Sequence, residues 1–178
     1  SNYWDYIRKY RSYIILDHIF PQSPFGKGAK LTSEQKESAL NILTQNEGDI
    51  LTKTTADEIA IHKETATDEE LTKIDDLLQT ELRLHQIGNL CLLSSGDNSA
   101  MGCGLFDEKR TVIRNRIARG SFVPRHTYEV FSKMIVGETG SLDVWSKDDI
   151  EMHQAEIQKR LNQLMKEDAW ERNSTEWP

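Results

Sequence analysis

Cysteine is almost missing from these 178 residues: Cys91 and Cys103 are the only two. Two thiols cannot build a disulfide framework, and with no Cys-x-x-Cys pair there is no zinc knuckle to hold a fold together. Both are expected to be small buried hydrophobes in a reducing, cytoplasmic setting. Long apolar runs are missing too. The longest wholly apolar stretches are only a few residues, so no segment is expected to span a bilayer. No basic n-region precedes an apolar stretch, and no signal peptide is expected. The chain opens on Ser rather than Met, as a piece of a longer protein would. Proline is scarce, with four in all. Two of them, Pro21 and Pro24, stand with Gly26 and Gly28 and mark 21–30 as a loop.

Uniform positive charge is also lacking, since the net charge is -7. That total argues against a nucleic-acid partner, but the distribution argues for one. Residues 1–31 carry a net +3, 32–81 a net -9, 82–137 a net +4 and 138–178 a net -5. Between Lys109 and Arg125 stand six basic residues and no acid. The acidity is confined to two segments, and the basic segments hold the unusual polar residues.

Hydrophobic and charged residues make up 37% and 29%, an ordinary globular composition, and the length suits one domain with a large insertion. A short helix is expected over 3–11 and a strand over 13–17. Thr32 with Gln35 and Thr67 with Glu70 read as capping boxes. The first opens a helix with Ala39, Leu40 and Leu43 on its apolar face; the second opens one that runs to about His85 on Leu71, Ile74, Leu78 and Leu82. Only a short helix around 56–62 is expected in the Thr-rich segment between. Gly88 breaks the pattern, and "NLCLLS" (89–94) reads as a second strand. A helix follows from about Leu105 to Arg119, another from Pro124 through Ile135. A last long helix, capped by Ser146 and Asp149, has Ile150, Ile157, Leu161 and Leu164 as its core stripe. The expected fold class is α+β, a mostly helical domain around a small hairpin.

The polar residues at the strand ends carry the chemistry. The first strand delivers Asp17 and His18 side by side; the second begins at Asn89 and leads nine residues on to Asn98. If the strands pair as an antiparallel hairpin, connected by an acidic helical insertion at about 22–88, these residues converge. An imidazole that titrates near neutrality can take a proton from water. A carboxylate and an amide oxygen are hard ligands suited to Mg2+, which keeps several of its waters. A basic stretch behind them, with Lys109, Arg110 and Arg114, can hold a phosphate backbone. Together these are the parts of a metal-assisted phosphodiester hydrolase. Each residue alone has a plainer explanation. A polar pair often caps a strand end, Asn is a common turn residue, and charged helix faces are usually only solvated.

The segments "LDHIFPQS", "IGNLCLLSSGDNSAMG" and "FDEKR", in that order, resemble the His-Asn-His endonuclease superfamily with its ββα-metal site. Within it they are most similar to the C-terminal nuclease domain of GmrSD-type restriction and phage-defence proteins. The resemblance implies a single nuclease domain over 1–178, with the insertion at about 22–88 and a helical C-terminal part at about 121–170. It implies that His18 is the general base and that Asn89 ties the loop and orients it. Asp17 and Asn98 would ligate Mg2+ or Mn2+, and Lys109 and Arg110 would contact phosphate or the DNA backbone. The implied activity is cleavage of DNA, as the effector of a bacterial restriction or anti-phage protein. A regulatory nucleotide-hydrolysing domain or subunit would lie outside this chain. Asn98 stands where the motif's last histidine is usual, and the zinc-binding cysteines of many relatives are missing. Two alternatives stay open: a nuclease-like interaction domain that no longer cleaves, and a nuclease that takes RNA.

Overall fold

In the computed structural model the described residues are 14–29, 31–45, 51–65, 67–94, 105–133 and 144–174, without the side chains of Ile14 and 168–174. The helix expected over 3–11, Asn98 and Cys103 lie outside them.

Ile14–His18 form strand β1 and Leu90–Ser94 form β2, paired antiparallel with His18 opposite Leu90 and Asp17 opposite Cys91. The expected hairpin therefore exists; β1 runs one residue past its expected end, to His18, and β2 begins one residue later than expected, at Leu90. Successive strand residues face opposite ways. Cys91 and Leu93 are buried on one face, whereas Leu16 and Leu92 are exposed on the other. Asp17 therefore shares the covered face and His18 the open one. Burial pushes the Cys91 thiol up to about 12, consistent with a packing role.

Three helices fill the connection between the strands: α1 (Ser33–Gln45), α2 (Lys53–Thr65) and α3 (Asp68–Leu82). The Thr32–Gln35 capping box closes in both directions, at 2.9 and 3.2 Å. Thr67 caps α3 by accepting from the Glu70 amide at 3.2 Å, but the Glu70 carboxylate turns to Lys73 and His62 instead of closing the box. Helix α2 is longer than the sequence suggested. Thr52 starts it by accepting from Thr55, a cap that the repeated threonines disguised.

After a 3₁₀ turn at Ile87–Asn89 and β2, the chain forms α4 (Phe106–Ala118), α5 (Arg125–Phe131) and α6 (Lys147–Ser174). Helix α5 was expected to reach Ile135 but stops at Phe131. Lys133 adopts a left-handed backbone, and its ammonium ion-pairs with Asp149 at 2.8 Å, both side chains being buried. Asp149 also closes the capping box with Ser146. Phe106 stacks on Phe131 and Trp145 at 5.3 and 5.4 Å, joining α4, α5 and the start of α6 in one core. The core stripe expected along α6 holds only at its beginning. Ile150 is fully buried, but Leu161 and Leu164 are 47% and 55% exposed.

Helix α6 meets the 3₁₀ turn at Gly88. A Cβ there would lie 2.0 Å from the Ile150 carbonyl oxygen, so no larger residue fits. His153, fully buried, donates from Nδ1 to the Gly88 carbonyl at 2.7 Å and meets His126 Nε2 through its own Nε2 at 2.8 Å. The mostly helical α+β architecture read from the sequence is the one observed. Its helices clamp the segment that precedes β2 from behind.

Candidate active site

Asn89 is wholly buried, and its amide is saturated by backbone. Its Oδ1 accepts from the Phe20 amide at 2.8 Å; its Nδ2 donates to the carbonyls of Phe20 and Leu84 at 2.9 and 3.0 Å. Its own carbonyl accepts from the Ile19 amide at 2.7 Å. One side chain thus ties the residues that follow His18 to the turn that carries His85. The resemblance gives Asn89 the part of tying the loop and orienting His18; wholly buried, with its side-chain amide bonded to backbone, it presents no exposed group to a substrate.

Asp17 and His18 line one cavity of about 320 Å3 at the end of β1, with Pro21, Gln22, Lys27 and Lys109 among its walls. Gln22 Nε2 lies 3.0 Å from His18 Nε2 and 3.0 Å from His85 Nδ1. An amide nitrogen only donates, so each ring nitrogen accepts, and a neutral His18 then carries its proton on Nδ1. The two imidazoles meet edge to face, 5.9 Å between centroids. The pKa of His18 is lowered, first by burial and further by His85 and Lys109, against the opposing pull of Asp17.

Lys109 departs most from its expected place. It was expected on a basic face turned to DNA, yet it is 1% exposed. Its ammonium reaches Asp17 Oδ2 at 3.2 Å and donates to the His18 carbonyl. The physical reason is helical phase: Lys109 shares the inner face of α4 with Phe106 and Ile113, and a buried ammonium requires a carboxylate and a carbonyl. Arg110 and Arg114 point elsewhere. They line a separate cavity of about 330 Å3 between α4 and α5, floored by Ile113, Tyr128 and Phe131.

The donor set for a cation is thin but of the right kind. Asp17 offers a hard, partly exposed carboxylate whose Oδ1 makes no hydrogen bond to a described residue. Among the described residues no three acidic, His or Cys side chains cluster to hold a metal ion. Asn98, the second expected donor, lies outside them. Such a set suits an ion that keeps most of its waters and takes few protein ligands.

Lys27 and Gln22 are not among the residues the sequence singles out, and His85 is named there only as a helix end. The Pro-Gln-Ser that follows the Asp-His pair was the available signal for Gln22. The signal for Lys27 was positive charge, shared with Lys30, in a Pro/Gly loop that directly follows the acid-imidazole pair.

Residues 61–160 match the family described as GmrSD restriction endonucleases, C-terminal domain. The match runs from α2 into α6 and contains Asn89, Lys109, Arg110 and Arg114; β1, with Asp17 and His18, precedes it and joins it by pairing with β2. No curated protein and no solved structure matches the chain. No helix among the described residues is long and apolar enough to cross a membrane. With more than half its length covered, the chain belongs to the family of C-terminal domains of GmrSD restriction endonucleases.

Proposed function

We propose that this chain is a metal-dependent endonuclease of the His-Asn-His type that hydrolyses DNA phosphodiester bonds. It would serve as the cytoplasmic effector of a bacterial restriction or anti-phage system. Residues 1–178 form one nuclease domain in this reading, and a nucleotide-hydrolysing domain or subunit elsewhere regulates it. One observation carries the reading: Asp17 and His18, adjacent at the end of β1, both line a single cavity while Asn89 fixes the backbone beyond them.

His18 is the general base in this scheme. Its lowered pKa keeps it neutral at physiological pH, the state that can accept a proton from water. Gln22 donates to the unprotonated Nε2, so His18 takes the water's proton at Nε2 once that amide gives way to the water, while Nδ1 keeps its own proton. Asp17, with Asn98, would hold Mg2+ or Mn2+, whose chemical contribution is to stabilise negative charge on the phosphate. Asn89 holds His18 in place, and Lys109 fixes the Asp17 carboxylate against the hairpin.

The Lys109–Asp17 ion pair also favours a second reading. A carboxylate already neutralised by a buried lysine is what a nuclease scaffold converted to an interaction domain would retain. Incubation with supercoiled plasmid separates the two. The nuclease nicks or linearises it in Mg2+ or Mn2+ and stops when the ion is chelated; an interaction domain leaves both this plasmid and RNA intact with either ion. A parallel RNA substrate decides between DNA and RNA.

A further inference from the structure

The loop 20–29 after β1 is held at several points by α3, on the acidic insertion. Asp75, 3% exposed, accepts from the amides of Phe25 and Gly26 at 3.1 and 2.7 Å. Gln79 Nε2 donates to the Gln22 carbonyl at 2.9 Å. Gly26 packs so closely on α3 that a Cβ would lie 2.7 Å from Thr72 Oγ1 and 2.9 Å from Asp75 Oδ2. Phe20 and Phe25 are buried beneath the loop. A segment with this many anchors has a fixed backbone, and its next residue is Lys27.

Lys27 is exposed and lines the cavity of Asp17 and His18. Among the described residues one other cation lines that cavity, Lys109, and its charge is matched by Asp17. Lys27 forms no ion pair with a described residue. Arg110 and Arg114 open onto a different cavity, which shares no lining residue with this one among the described residues. Among the described residues, an anionic polymer approaching His18 therefore meets one positive charge without an ion-pair partner, on a loop set by a buried carboxylate.

We propose that Lys27 is the residue that holds a substrate phosphate beside His18, and that Asp75 is the positioning residue that presents it. The acidic insertion then has a definite part in binding, because its helix α3 fixes the backbone from which the phosphate contact projects. This inference rests on the nuclease reading of the cavity, but it concerns binding and is tested without cleavage.

The experiment is fluorescence anisotropy of a short labelled DNA duplex with the full chain, in chelator, over a series of salt concentrations. Lys27→Gln is expected to weaken binding and to lower the slope of log affinity against log salt by about 0.9, the loss of one phosphate contact. Asp75→Asn is expected to weaken binding in the wild-type background and to add nothing once Lys27 is Gln. A purely structural role for Asp75 would lower affinity equally in both backgrounds. An unchanged slope in Lys27→Gln overturns the proposal, as does an Asp75→Asn effect that is independent of Lys27. Should Lys27 pass while wild-type protein cleaves nothing in Mg2+, the nuclease reading fails and the phosphate contact stands.

Discussion

Asn89 fills three backbone hydrogen-bonding positions with one buried side chain, and no other residue type has the same set of donors and acceptor at that length. Asn89→Ala leaves the Phe20 amide and the carbonyls of Phe20 and Leu84 without partners in the interior. At roughly 1 to 3 kcal/mol for each buried polar group left unsatisfied, a loss of at least about 3 kcal/mol is expected. Urea unfolding measures it; a loss under about 1 kcal/mol would mean that water or a shifted backbone replaces the amide. Asn89 was legible as a site residue because its neighbours Leu90 and Leu93 complete a motif. Which backbone groups it ties was not, since Phe20 lies 69 positions away. The partners of Gln22 and Lys109 were hidden in the same way, at sequence separations of 63 and 92.

In the proposed scheme Asp17 is the residue on which metal chemistry would turn. Asp17→Ala and Asn98→Ala are each expected to weaken Mn2+ binding in titration calorimetry, because each removes a hard oxygen donor from a site with few of them. Asp17→Ala should do so more strongly, since it also leaves the Lys109 charge uncompensated beside the ion. Equal affinities in wild type and both variants would remove the two residues from the metal shell.

At the scale of elements, α3 behaves as a clasp with a measurable pH signature. Burial pushes the Asp75 carboxyl up to about 6, against the opposing effect of the Gly26 and Phe25 amides. A carboxyl whose pKa is raised on folding binds its proton more tightly in the folded state. The stability it contributes is thus full below its unfolded value, near 3.8, and is lost as pH rises through about 6. At about 1.4 kcal/mol per pKa unit, wild type should lose some 2 to 3 kcal/mol relative to Asp75→Asn between pH 4 and pH 6.5. Unfolding midpoints of both proteins across that range give the answer; parallel curves would show that Asp75 is not titrating there. At neutral pH the ionised carboxylate costs stability while it grips the loop.

The elements themselves were largely legible where a cap and a periodic stripe coincide, as in α1, α3 and the start of α6. They were misread where tertiary contacts decide. Asn89 leaves the strand because its side chain is drawn to Phe20 and Leu84. Helix α5 ends early because the Lys133 ammonium is held by Asp149. Leu161 and Leu164 continue the spacing of a core stripe beyond the point where the core ends. Periodicity states which residues share a face, not whether another element covers it.

Over the whole molecule, the segregation of charge read from the sequence holds, but its meaning is altered. The basic run after residue 109 does not form one DNA-facing stripe: Lys109 turns inward, while Arg110 and Arg114 face the α4–α5 cavity. The acidic insertion is part of the site's scaffold, since α3 grips the loop beside His18, and its exposed carboxylates still repel a polyanion. Exchanging exposed acids of α2 and α3 such as Asp57, Glu58, Glu69 and Asp76 for their amides should strengthen binding to non-specific duplex at low salt. The gain should fade as salt is raised. Unchanged anisotropy titrations at low salt would mean that DNA approaches from a side these helices do not face.

The central claim is that His18, fixed at the end of β1, takes the proton from the attacking water. The measurement that tests it most directly is the single-turnover rate of DNA cleavage by wild type and His18→Ala in Mg2+, with unfolding midpoints of both proteins recorded alongside. A rate lower by about 10² to 10⁴ with the midpoint nearly unchanged is the predicted result. Cleavage by His18→Ala at the wild-type rate would contradict it.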